Sequence, residues 1–165
     1  MKSITSFLTP LFIACLFLVS ASSFAQTSVN GKGAVGVWKT VDDESGRTKS
    51  HVEIYKKGND YHAKIIRLLD QQTLKDSGEE RFEDIKCTKC PSDHGKGQTM
   101  HGLEIIWDME QESDKWAGGK IMDPKKGKIY TCTMWMDDSD PKGNTLKVRG
   151  WVGFLYRTQT WYRVK

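Results

Sequence analysis

At 165 residues with six tryptophans, the chain is long enough to bury one core but not two. Its formal charge is +4, and the 25 basic and 21 acidic residues interleave along the sequence. That balance excludes a nucleic-acid face and a polybasic membrane patch.

The first element in chain order stands outside the fold. Lys2 precedes an uncharged stretch from Ile4 to Ala21, and Ser23-Phe24-Ala25 follows, which is the layout of a secretory signal over residues 1–25. An uncleaved anchor is the alternative, since about 18 uncharged residues nearly span a bilayer. Pro10 and the Ser-x-Ala site favour cleavage, which leaves no stable membrane span and a periplasmic or secreted product. Cys15 lies inside the apolar stretch and reads as part of the signal. Residues 26–34, "QTSVNGKGA", form a flexible lead-in, and residues 35–165 a single β-barrel domain.

From Val35 onward the dominant hydrophobic period is two. Strands are predicted over Val35–Val41, Ser50–Lys57, Asp60–Leu68, Gly102–Met109, Lys115–Met122, Lys128–Met136, Thr145–Val152 and Tyr156–Val164. A short helix has room only between Leu69 and His101. The Gly58-Asn59 turn fixes one register: Lys57 opposite Asp60, Glu53 opposite Lys64, Val52 opposite Ile65 and Ile54 opposite Ala63. Charge pairs then share one face and apolar pairs the other. "DPKKGK" from Asp123 and "DDSDPKGN" from Asp137 supply two further turns. Eight sequential strands joined mostly by hairpins predict an all-β fold, an eight-stranded antiparallel up-and-down barrel with one long loop between strands three and four.

The first strand opens Gly36-Val37-Trp38, and the last carries "TWYRVK". This resembles the calycin group of lipocalins and fatty-acid-binding proteins, in which a Trp plugs the barrel floor and a basic residue of the last strand packs across it. The resemblance implies a structural floor of Gly36, Trp38 and Arg163, with Arg157 and Arg149 as alternatives to Arg163. Chain order agrees, because in an eight-stranded meander the last strand ends beside the start of the first. The segments "GVWKT", "VEIYKKGNDYHAKIIRL", "CTKCP", "GLEIIWDM", "WAGGKIMDPKKGKIYTC", "LKVRGWVG" and "RTQTWYRV" together resemble the exported bacterial family called domain of unknown function 2147. That resemblance implies an exported calycin-like protein and supplies no catalytic residue.

The meander places the loops at Asp42–Arg47, Leu69–His101 and Asp123–Gly127, and the turn at Gly153, at the end opposite Trp38. Two of these stand out. In "WVGFLY", Trp151–Tyr156, the turn is apolar: either a lip for a ligand or partner, or a segment packed under the long loop. In "CTKCPSDHGKGQTMH", Cys87 and Cys90 are read foremost as a disulfide that staples the loop. A metal set with His94 and His101, or a redox thiol pair, are alternatives, and Cys132 is a rival disulfide partner. His62 shares the outward row with Glu53 and Lys64 and reads as a solvated strand residue.

Parity assigns Val52, Ile54, Tyr61, Ala63, Ile65, Leu103, Ile105, Trp107, Tyr130, Cys132, Met134, Leu146 and Val148 to the interior. The ligand-binding candidates are Tyr61, Trp107, Tyr130, Met134, Phe154, Leu155 and Tyr156, facing a small apolar or amphipathic ligand through the open end. A solid barrel acting as an envelope protein-interaction module is the alternative, and a thiol or metal site at Cys87 and Cys90 a second. No catalytic residue, metal set or cofactor is assigned, and no enzyme activity is indicated.

Overall fold

A computed structural model describes residues 33–164. The expected signal segment and most of the lead-in lie outside the described residues. The strands are β1 Gly36–Val41, β2 Thr48–Lys57, β3 Asp60–Leu68, β4 Glu104–Glu112, β5 Lys115–Ala117, β6 Lys120–Asp123, β7 Lys128–Met136, β8 Thr145–Val152 and β9 Leu155–Arg163. All pairings are antiparallel, β3 pairs with β4, and β9 closes on β1. Both β5 and β6 lie between β4 and β7, so they are two halves of one stave. Eight staves therefore close into a barrel with no open edge.

The break in the fifth stave has a local cause. Gly118 adopts φ +80, and the backbone at Trp107 and Asp108 lies where a side chain on Gly119 would sit. Two glycines let the strand step past its neighbour at a place no side chain fits.

The β2–β3 hairpin has the expected register, with Lys57 opposite Asp60, Glu53 opposite Lys64, Val52 opposite Ile65 and Ile54 opposite Ala63. Gly58 supplies the positive φ of the turn, +66, and Lys64 Nζ reaches Glu53 Oε2 at 3.1 Å. Strand β4 departs from simple alternation. Its ladder runs Lys64 to Glu104, Ala63 to Ile106 and Tyr61 to Met109, with an irregularity at each step. Asp108 lies in the second irregularity with φ +55. Ile106 and Met109 therefore take the inner row that parity had given to Ile105 and Trp107. Trp107 stands opposite Lys120, which stands opposite Thr131, an outward row.

The inner rows are filled. Trp38, Val52, Ile54, Ala63, Ile106, Met109, Met134, Leu146, Val148 and Trp161 are all buried and belong to one cluster. Such packing, rather than a deep calyx, is what holds the staves together.

The long connection from Leu69 to Leu103 contains a helix, α1 Gln71–Ser77, and a single 3₁₀ turn at Phe82–Asp84. Asp70 caps the helix by accepting from the Gln72 amide, and Gly78 ends it at φ +75. The segment then folds back on itself: the Cys87 amide donates to Gln98 O, the Gly97 amide to Cys87 O, and Met100 N–H to Ile85 O.

Candidate functional site

The two ends of the barrel are built differently. At the β1 start, Trp38 and Arg163 are direct cross-strand partners, and the guanidinium carbon lies 4.2 Å from the indole centroid. The indole N–H donates to Ala34 O at 2.7 Å. Arg163 donates to the carbonyls of Gly33, Val35 and Gly143, tying the chain before β1 and the β7–β8 loop to the last strand. Gly36 adopts φ +140, a conformation that a side chain disfavours, which explains a bare residue at this corner. Arg149 and Arg157 sit elsewhere: Arg149 lies 4.2 Å from the Tyr156 ring, and Arg157 pairs with Asp43 at 2.7 Å.

Beside this closed base lies a half-open groove of about 620 Å³. Its apolar wall is Tyr61, Trp116, Trp135, Met136, Ala34 and Val35, and its rim carries Gln111, Asp114, Lys115, Asp137, Asp138 and Asp140. The Tyr61 hydroxyl donates to Gln111 Oε1 at 2.7 Å, and its ring meets Trp116 edge-on with centroids 5.7 Å apart. The Trp116 indole N–H is buried and has no acceptor. An unmet donor of this kind costs about 1–3 kcal/mol until something accepts from it. Asp137 is committed to Lys147 at 3.1 Å, and Asp140 accepts from the Lys142 and Asn144 amides and the Thr145 hydroxyl. The rim is thus net acidic, with Asp137 and Asp140 held by these bonds.

At the opposite end, the cysteine loop packs along the outside of the β4/β6 staves. Cys87 and Cys90 form a disulfide with Cα atoms 5.5 Å apart, both residues buried. Gly127 fits against the Lys89 carbonyl, and the His94 ring lies 4.4 Å from the Trp107 ring. With both sulfurs paired and shielded from solvent, no thiolate is presented to a metal or substrate. His101 is exposed and His94 is spent on Trp107, so the four residues do not converge on an ion. Cys132 is the free cysteine among the described residues, buried in the barrel, and desolvation pushes its thiol up to about 12.

The apolar hairpin is not tucked under that loop. Phe154 is 88% exposed and Leu155 63%, with Val152 and Tyr156 also exposed. The β8–β9 ladder runs to a two-residue turn at Gly153 and Phe154, Gly153 having φ +57, so the tip projects while the loop lies across the barrel on other staves.

The seven ligand candidates therefore scatter. Tyr61 lines the groove at the Trp38 end; Met134 is buried in the core; Tyr130 is half-buried opposite Ile121. Trp107 lies on the outer face beneath His94, a correction that follows from the β4 bulge. Phe154, Leu155 and Tyr156 stand at the far tip. They do not form one site.

A family model described as an uncharacterized protein conserved in bacteria, domain of unknown function 2147, matches residues 36–163. The chain belongs to this family. Among solved structures, this DUF2147 chain is similar to protein HP1028 from the human pathogen Helicobacter pylori, described as belonging to the lipocalin family, with TM-score 0.62 and 17% identity over 81% of this chain and 84% of that one. At that identity the likeness establishes the fold. A comparison with curated protein sequences finds no match. Among the described residues of this DUF2147 chain, no helix is long and apolar enough to cross a membrane.

Sequence reasoning missed Trp116, Trp135, Met136 and Gln111 in this family member's groove. A signal existed in the six tryptophans, but the groove forms where three separate loops meet, and no local pattern encodes that meeting.

Proposed function

We propose that this protein is an exported barrel that binds a small amphipathic ligand in the half-open groove at its Trp38 end. The observation that carries this reading is the aromatic wall of Tyr61, Trp116 and Trp135 around a groove of this size. A flat apolar ligand would lie against Tyr61, Trp116, Trp135 and Met136. The groove volume falls within the few hundred to about 1,000 Å³ typical of small-molecule sites. The acidic rim selects a neutral or cationic polar group. Export is supported by the signal-like N-terminal sequence and by the Cys87–Cys90 disulfide, a bond that persists in oxidising compartments.

The test has two arms. Native mass spectrometry of the protein purified from its own host should detect a co-purified small molecule. Titration with the neutral fluorophore N-phenyl-1-naphthylamine should give saturable binding, weakened at least tenfold by Met136→Asp while the Phe154→Ser protein binds normally. Fluorophore binding unaffected by Met136→Asp would refute the groove as the site.

A second reading rests on the exposed Phe154 tip. Ile129 near the start of β7 is also exposed, Lys125 and Lys126 occupy the β6–β7 turn, and Lys128 begins β7. This combination fits a protein partner offering an apolar pocket with an acidic rim. Loss of a cross-linked envelope partner in Phe154→Ser, with the groove variant retaining it, would favour this reading.

A further inference from the structure

His62 differs from the solvated strand residue its parity suggests: it is 5% exposed. Its Nδ1 lies 3.1 Å from Glu104 Oε2, and the same oxygen accepts the Tyr55 hydroxyl at 2.7 Å. Glu104 thus anchors the Nδ1 side of the ring. No hydrogen-bond partner for Nε2 exists among the described residues. Asp60 and Asp108 each bring a carboxylate oxygen to a ring nitrogen of this histidine, all three ligand atoms within 4.8 Å of one another. Neither carboxylate has an ion pair or a side-chain hydrogen bond among the described residues.

Two carboxylate oxygens and one imidazole nitrogen thus converge. Two anionic oxygens brought together repel, and a cation between them relieves that repulsion. The fold builds this convergence from two elements. Asp60 and His62 are two residues apart on β3 and share a face, and the bulge in β4, with Asp108 at φ +55, brings the third group across. Gly119 on the adjoining stave admits the bulge by lacking a side chain.

We propose that Asp60, His62 and Asp108 bind a divalent first-row metal ion, with Zn²⁺ the best match. One imidazole nitrogen and two carboxylate oxygens suit this class, and a carboxylate on the far ring nitrogen is the usual support of a metal-binding histidine. Bound ligand atoms sit about 3–4 Å apart at ordinary Zn–N and Zn–O lengths, which the exposed Asp108 side chain reaches by a rotamer change. Three protein ligands leave at least one position for water or a small ligand. The site is independent of the groove and stands or falls separately.

Chelator-treated protein titrated with ZnCl₂ in a calorimeter should take up one ion per chain at micromolar affinity or tighter, with Mg²⁺ at least 100-fold weaker. Asp60→Asn and Asp108→Asn, both on unpartnered side chains, should each weaken zinc binding at least tenfold with unchanged circular dichroism. Glu104→Gln should weaken it about 10- to 100-fold while leaving all three ligands in place. His101→Ala, which removes an exposed histidine elsewhere, should leave it unchanged. Absence of zinc uptake, or uptake within twofold of the parent in both Asn variants, overturns the proposal.

Discussion

The two ends of this barrel use similar residues to opposite effect. At the Trp38 end an indole is sealed by a guanidinium that also ties down three backbone carbonyls, and a half-open aromatic groove forms beside it. At the other end a phenylalanine stands 88% exposed, and a disulfide-bearing loop lies along the outer wall instead of over the mouth. Up-and-down topology fixes which loops share an end. It does not fix which end offers a binding surface, because that depends on where long connections come to rest.

Substitutions graded across the two ends sharpen this contrast. The largest effect is expected at the base: Trp38→Ala leaves a cavity under Arg163 and should cost about 3–5 kcal/mol in urea denaturation. A loss below 1 kcal/mol would mean that the base is not a packed unit. Next, the double change Cys87→Ser and Cys90→Ser opens a very short covalent loop, for which the chain-entropy estimate is about 2 kcal/mol. Its effect should be local: hydrogen exchange quickens over residues 85–103, while β1, β8 and β9 keep their protection. Uniform loss of protection would tie the staple to the whole barrel.

Acid should act at the loop end. Hydrogen bonds from the Ser45 hydroxyl and amide, at 2.7 and 2.9 Å, hold the Asp42 carboxyl down to about 2. Burial pushes Asp70 up, yet Lys49 Nζ at 2.7 Å, the Gln72 amide and Arg47 bring it below the ordinary carboxylate value. Depressed folded-state values mean that these groups stabilise fully above the unfolded pKa. For Asp42 the contribution is lost as pH falls from 3.8 towards about 2. Urea midpoints followed from pH 6 to pH 2 should drop in the parent chain and flatten in Asp42→Asn; equal slopes would remove these carboxylates from the acid limb. The smallest effect is expected from Phe154→Ser, within about 0.5 kcal/mol, because that side chain packs on little. A larger loss would show that the Phe154 side chain is packed in solution.

Much of the fold was legible in the sequence because its information is local. Asp60–Leu68, Lys128–Met136 and Thr145–Val152 are strands with the bounds that alternation and turn residues predicted. The Gly58 hairpin has its predicted register because a two-residue turn leaves no freedom to slip. The candidate site was less legible. One bulge in β4, invisible to a period-two reading, turned Trp107 outward, put Ile106 and Met109 inside and brought Asp108 to His62. The Trp116 groove joins the segment before β1, the β4–β5 turn and the β7–β8 loop, which are far apart in sequence.

By itself, then, the sequence determined the number of staves, their order and the closure of the last strand on the first, since alternation and turn chemistry act between near neighbours. Only the tertiary structure decided that the interior is filled, where the cysteine loop lies and which polar groups are left without partners. Those outcomes depend on side-chain volumes and on contacts between segments dozens of residues apart, which no local pattern records.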